Sequence, residues 1–275
     1  MAEIKTSDII SLPPLPMSML QLANLLEDPN ADIKSYARVI ALDPILTASV
    51  LRWANSAYSQ SAERITSVHD AVVRLGTRNI MQLSFAFHLQ ANVRKLVGGI
   101  DPAENDIWRH SVATAVAADL IGQRYHPAIP AGAFASAIIH DIGKILIARS
   151  LGFAAYRRLI AEAVEAGALT VPEAERKIAR VDHVELGEQI ASRWRLPDSM
   201  VNVVRQHHDP SAQDALVRLV RAADSLAKQA GIEAGFSPHE LAAMAAAALY
   251  PPGDQDDLVS ALNAKFAEEI ALLSA

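Results

Sequence analysis

The sequence predicts an all-α protein, and three observations carry that prediction. Cap-and-glutamate pairs mark helix starts at "TVPE" (Thr170–Glu173), "DHVE" (Asp182–Glu185) and "SPHE" (Ser237–Glu240), the first and last with an early proline. Apolar residues between such marks recur at three- and four-residue spacing, as at Val201 and Val204, or at Leu216, Leu219 and Val220. No alternating run of apolar and polar residues suggests a sheet.

Taken in order, the elements fall into three regions. The first, residues 1–97, opens on the proline-rich "LPPLP" (Leu12–Pro16), read as a rigid lead-in packed on its own domain. It continues through "LDPILTASVLRWANSAYS" and "ITSVHDAVVRLGTRNIMQLSF". Gly98, Gly99 and Pro102 make a junction, because glycine and proline punctuate periodic segments. The second region, 98–231, contains the apolar stretch "AIIHDIGKILIA" (Ala137–Ala148) and the amphipathic "ALVRLVRAADSLAKQ". The third, 232–275, reads as two helices, around 238–250 and 256–273, separated by "PPGD".

Composition narrows the function classes. The 275 residues include no cysteine, which excludes disulfides, thiol catalysis and Cys-ligated metal, and fits a reducing cytoplasm. The N-terminal stretch has no basic-then-apolar signal pattern, and "LAAMAAAALY" (Leu241–Tyr250) is too short to span a bilayer. Net charge is −6, and no basic cluster exceeds "YRR" (Tyr156–Arg158). Neither nucleic-acid nor membrane binding is expected.

The histidines carry the chemistry. Five of the nine fall in the second region: His110, His140, His183, His207 and His208, with carboxylates at Asp106, Asp141 and Asp224. Asp106 and His110 are spaced i, i+4, so both are expected on one helix face. His140 and Asp141 are expected near the middle of an apolar helix, with Gly143 allowing close approach of a backbone or ligand. His183 belongs to the first turn of a capped helix, and His207 and His208 close a helix running from about Pro197. Asp224 interrupts an apolar helix face. An unpaired polar group in a core costs roughly 2–7 kcal/mol, and a charge more, so the His140–Asp141 pair needs a partner. Imidazole and carboxylate together suit zinc, iron or manganese, and eight such groups suffice for as many as two divalent ions. Lys144, one turn on, is placed to reach an anion over the centre. His69, His88, His126 and His239 read instead as ordinary helix-start, half-buried or loop residues.

The order His110, His140–Asp141, Asp224 resembles the HD superfamily of metal-dependent phosphohydrolases, with "HDIGKI" (His140–Ile145) as its central motif. "LPPLP", "DPILTASVLRWANSAY" (Asp43–Tyr58), "ITSVHDAVVRLG" (Ile65–Gly76) and "WRHSVATA" (Trp108–Ala115) narrow this to a resemblance to the HDOD domain, the HD-related output domain of bacterial signalling proteins. The resemblance covers roughly residues 10–230. It implies an N-terminal helical subdomain packed on an HD-type helical core, here with a short C-terminal extension. It also implies a role in signal transduction beside a partner such as a receiver or a cyclic-dinucleotide signalling protein. Many such domains have lost part of the metal-binding set. Here His110, His140, Asp141, His183, His207, His208 and Asp224 match the ligand pattern of the related HD-GYP phosphodiesterases, with Asp106 where their extra acidic ligand stands. The chain then reads "HHDPSAQDALV", without the Gly-Tyr-Pro signature that accompanies cyclic-dinucleotide hydrolysis.

Three functions follow as expectations. The first is a cytoplasmic regulatory module acting through protein contacts, with a structural or sensory metal centre. The second is a phosphohydrolase in which Asp141 bridges two metals and Lys144 steadies a phosphate. The third is a receptor that binds a nucleotide in the same pocket without cutting it.

Overall fold

The computed structural model describes residues 14–56, 64–97, 102–129, 132–167, 169–232 and 249–274, and no strand occurs among them. The helices are α1 (Met17–Leu25), α2 (Ile33–Ala41), α3 (Pro44–Ser56), α4 (Val68–Val97), α5 (Pro102–Tyr125), α6 (Ala133–Ile139) and α7 (Ile142–Leu151). They continue as α8 (Phe153–Gly167), α9 (Val171–Ala179), α10 (His183–Arg193), α11 (Asp198–Gln206), α12 (Ala215–Gln229) and α13 (Gln255–Ser274). The all-α expectation holds. The expected helix around 238–250, with its "SPHE" start, lies outside the described residues, as does the Gly98–Gly99 junction.

Local chemistry sets the helix ends. Asp32 begins α2 by accepting from the Ser35 amide at 2.8 Å. Asp43 begins α3 through the amides of Ile45 (3.1 Å) and Leu46 (3.0 Å). At the start of α9 the Glu173 carboxylate accepts from the Thr170 amide and hydroxyl, both at 2.8 Å. Asp182 opens α10 through the Glu185 amide, and Asp214 opens α12 through the amides of Leu216 and Val217. Within α4, Gly76 adopts φ 81°, ψ 149° and kinks the helix, a conformation that side-chain-bearing residues resist.

Helices α1–α4 pack together as an N-terminal group, and α5 is the central element of the remainder, in contact with α6, α12 and α13. Around mid-length α5 is buried on every side, from His110 to Ala118, and α12 is buried from Ala222 to Lys228. A helix apolar all round belongs inside a protein. A histidine on α5 and an aspartate on α12 therefore meet in the core rather than at the surface. The apolar core is continuous across the helix groups, from Met19 to Leu273.

Candidate metal centre

Expected to lie within one helix, the pair His140–Asp141 instead sits at a break between α6 and α7. Asp141 has φ −101° and ψ 13°, outside helical geometry. The physical reason is the neighbour across the break. Gly143, in the first turn of α7, lies against the start of α10, and a Cβ there would come within 2.0 Å of the His183 carbonyl oxygen. The glycine thus serves close approach to a backbone, one of its two expected roles. It brings the His183 end of α10 beside Asp141.

Histidines from four elements converge here. His110 comes from α5, His140 from the break, His183 from the first residue of α10 and His207 from the C-cap of α11. In each, Nδ1 is anchored away from the centre. Nδ1 of His110 donates to the Ile232 carbonyl (2.9 Å), that of His140 to Ala137 (2.6 Å) and that of His207 to Val204 (2.9 Å). His183 Nδ1 donates to Glu175 Oε2 at 2.6 Å. A carbonyl or carboxylate oxygen only accepts, so Nδ1 carries a proton and Nε2 faces inward, where it offers a lone pair whenever the ring is neutral.

Asp141 receives them on both oxygens. Oδ1 lies 3.3 Å from His183 Nε2 and 3.6 Å from His207 Nε2, while Oδ2 lies 3.3 Å from His140 Nε2 and 3.7 Å from His110 Nε2. Asp224 Oδ1 is 3.0 Å from His110 Nε2, and His208 Nε2 is 3.0 Å from His183 Nε2. Candidate ligand atoms therefore form two groups, Asp141 with His183, His207 and His208, and His110 with His140 and Asp224. His110, His140, Asp141, His183, His207 and Asp224 are each at most 2 % exposed, while His208 is half-buried.

Asp106 stands apart from both groups. It is partly exposed, and its Oδ2 accepts from Arg157 Nη1 of α8 at 2.7 Å. Lys144 turns inward, its Nζ donating to Asp141 Oδ2 at 2.6 Å, and Lys228 does the same to Asp224 Oδ2 at 2.9 Å. His69 is exposed at the start of α4, His88 is buried 3.6 Å from Asp43, and His126 reaches the Leu249 carbonyl oxygen at 2.6 Å. His239 lies outside the described residues.

The electrostatics suit cation binding. Burial works against ionisation of Asp141, but His140 and Lys144 beside it hold its carboxyl well below the usual range. Asp224 is likewise held well below that range, burial being outweighed by Lys228 and His110. Burial pushes His207 down to about 4, and burial with His207 and His183 pushes His208 well below the ordinary imidazole value. Ionised carboxylates and neutral imidazoles are the ligand-competent forms. Three buried atoms, His140 Nε2, Asp141 Oδ1 and Asp224 Oδ1, have no hydrogen-bond partner among the described residues. Such atoms normally find partners, and an ion held in each of the two groups would satisfy all three. The donor set fits.

Glu175, Tyr156 and Lys228 are site residues that the sequence reading missed. Glu175 is fully buried and binds His183 twice, through Nδ1 and through the backbone amide at 2.7 Å, while Tyr156 donates its hydroxyl to the other Glu175 oxygen. The available signal was position, because Glu175 follows Val171 by one turn on the apolar side of α9.

The HDOD domain family model matches residues 12–210, most of the chain. This is an HDOD-domain protein. Among solved structures it is similar to an HDOD domain protein of unknown function from Geobacter sulfurreducens (25% identity, 96% of this chain and 92% of that one, TM-score 0.69). It also resembles a candidate signal transduction protein from Marinobacter aquaeolei VT8 (21%, 98% and 62%, TM-score 0.75) and a candidate phosphohydrolase from Shewanella amazonensis SB2B (24%, 97% and 97%, TM-score 0.70). At these identities the last two show the shared fold. An uncharacterized protein of Treponema pallidum is 24% identical over 211 residues, and the HDOD chain spans 38% of its length. No described helix is long and apolar enough to cross a membrane.

Proposed function

We propose that this HDOD protein is a cytoplasmic signal-transduction module that holds a divalent metal centre and acts through contacts with a signalling protein. The observation that carries the reading is the set of four Nδ1-anchored histidines aimed at both oxygens of one buried aspartate. His183, His207, His208 and Asp141 Oδ1 would hold one ion, and His110, His140, Asp224 and Asp141 Oδ2 a second. Burial of these ligands favours a structural or sensory centre over an open catalytic one. Asp106, engaged with Arg157, is left out of the set. A signalling role agrees with the likeness to the Marinobacter protein.

The alternative is a metal-dependent phosphohydrolase acting on a nucleotide or cyclic dinucleotide, and the half-buried His208 favours it, since a substrate would enter on that side. Bound metal would acidify a water and polarise a phosphoryl oxygen. Lys144, held on Asp141, would offer its ammonium to a phosphate oxygen, and Asp141 would keep both halves of the ligand set in register.

Elemental analysis tests the centre. Untagged protein purified without chelator is expected to carry close to two equivalents of iron, manganese or zinc, and His140→Ala to lose metal from the group it shares with His110. Metal-free protein that takes up none on reconstitution would overturn the reading. Turnover of bis(p-nitrophenyl) phosphate or a cyclic dinucleotide that disappears in Asp141→Ala would move the assignment to hydrolysis.

A further inference from the structure

Away from the histidine centre, a cavity of about 390 Å³ opens where α3 and α4 meet α5, α6 and α13. That is the size of a small-ligand site, which typically measures about 300–1,000 Å³. Its apolar wall includes the rings of Trp53 and Phe134 beside Leu83 and Val116. No member of the metal-centre set lines it. Two polar side chains on its lining keep a buried atom without a hydrogen-bond partner among the described residues: Gln82 Nε2, a donor, and Glu269 Oε1, an acceptor. Native proteins pair such groups, so an unmatched donor and acceptor at one cavity point to a ligand that supplies both partners.

Charge decides which kind. The lining carries three carboxylates, Asp119, Glu268 and Glu269, against two cations, Arg78 and Lys265. Arg78 is already committed to Asp119 at 2.8 Å, and Asp119 also accepts from Gln123. Lys265 is exposed on the same helix as the two glutamates. With Arg78 taken by Asp119, the exposed Lys265 is shared between Glu268 and Glu269, of which Glu269 is the more buried. Burial, with Asp119 and Glu268 nearby, lifts that carboxyl to about 7, so a neighbouring cation would favour its ionised form.

We propose that this cavity binds a small organic cation, a primary arylalkylamine bearing one hydrogen-bond acceptor, with its ring against Trp53 and Phe134, its ammonium on Glu269 and its acceptor on Gln82. Aromatic walls take the ring by stacked or edge-to-face packing, and a carboxylate takes the ammonium by charge-assisted hydrogen bonding. The walls come from the N-terminal helices, from α5 and α6, and from the C-terminal helix, so an occupant joins all three and can report its presence to each.

Titration calorimetry on the full chain tests this with tyramine, against 3-(4-hydroxyphenyl)propionate, which exchanges the ammonium for a carboxylate on the same ring. Tyramine is expected to bind with Kd at or below about 1 mM and the acid at least about tenfold more weakly. Glu269→Gln is expected to weaken tyramine by at least about tenfold while leaving circular dichroism and metal content unchanged. Gln82→Leu gives a second, uncharged perturbation with a smaller loss in the same direction. Absence of tyramine binding, equal binding of amine and acid by the native protein, or unchanged affinity in both variants would overturn the proposal. Metal content is read separately, so its loss alone bears on the histidine centre and not on this cavity.

Discussion

At the residue scale, the fully buried Glu175 fixes the tautomer of His183. One carboxylate takes the ring N–H and the backbone N–H of the same histidine, at 2.6 and 2.7 Å, so ring and helix start are oriented together. Partners of this type commonly alter metal affinity 10–100-fold when removed. Glu175→Gln is therefore expected to retain the fold and lose roughly 10–100-fold in metal affinity, measured by competition with a chelator of known strength. Unchanged affinity would mean that the carboxylate only fills space. The sequence made His183 legible through its company, the other four histidines and three aspartates of the candidate ligand set within one region. It left Glu175 hidden, because a glutamate inside a capped, charged helix reads as a solvated residue until the packing of α9 is known.

At the element scale, the crossing of α7 and α10 has no room for side chains. A Cβ on Gly143 would meet the His183 carbonyl oxygen at 2.0 Å and the Gly187 amide nitrogen at 2.8 Å, both backbone atoms of α10. Backbone cannot yield as a flexible side chain does, so Gly143→Ala should cost at least the roughly 1–3 kcal/mol typical of overpacking. It should also lower metal content by moving His183 away from Asp141, whereas a loss of stability with metal content intact would separate the crossing from the site. Helix α3 offers a pH-dependent counterpart. Burial alone would raise the Asp43 pKa, but the Leu46 amide and the Ser18 hydroxyl hold it below the ordinary value. A depressed carboxyl pKa contributes stability that is fully present above the unfolded value of about 4 and is lost as pH falls through the folded value. Asp43→Ala should thus cost about 1 kcal/mol at pH 7, with the gap to the native protein narrowing below about pH 4 in urea unfolding series.

At the scale of the whole molecule, the proposed ligands tie α5, the α6–α7 break, α10, the end of α11 and α12 to one point. A ligand that binds only the folded state adds about 4 kcal/mol at a thousandfold excess over Kd. Removing metal with chelator should lower the melting temperature by roughly 10 °C, given about 2–4 °C per kcal/mol for a chain of this size, and adding metal back should restore it. A melting temperature indifferent to chelator would mean that the histidines stand as a hydrogen-bonded core. The division into an N-terminal group at 1–97, a core at 98–231 and an extension is a matter for the same experiment. Separate transitions are expected if the groups melt independently, and one transition if the continuous core from Met19 to Leu273 binds them.

By itself the sequence determined the class and the cast: helices from capping pairs and three-to-four spacing, and ligand types from unexpected histidines and aspartates in apolar runs. These are local properties, carried by neighbours one turn apart. Only the tertiary structure decided which of the cast meet. His110 and Asp106 share one helix, yet His110 faces Asp224 across the core while Asp106 turns to Arg157. The break at His140–Asp141 likewise depends on the α10 backbone pressing against Gly143, some forty residues away in the chain. Convergence in space is set by how helices cross, and a crossing is fixed by the packing of both partners together, which neither helix encodes alone.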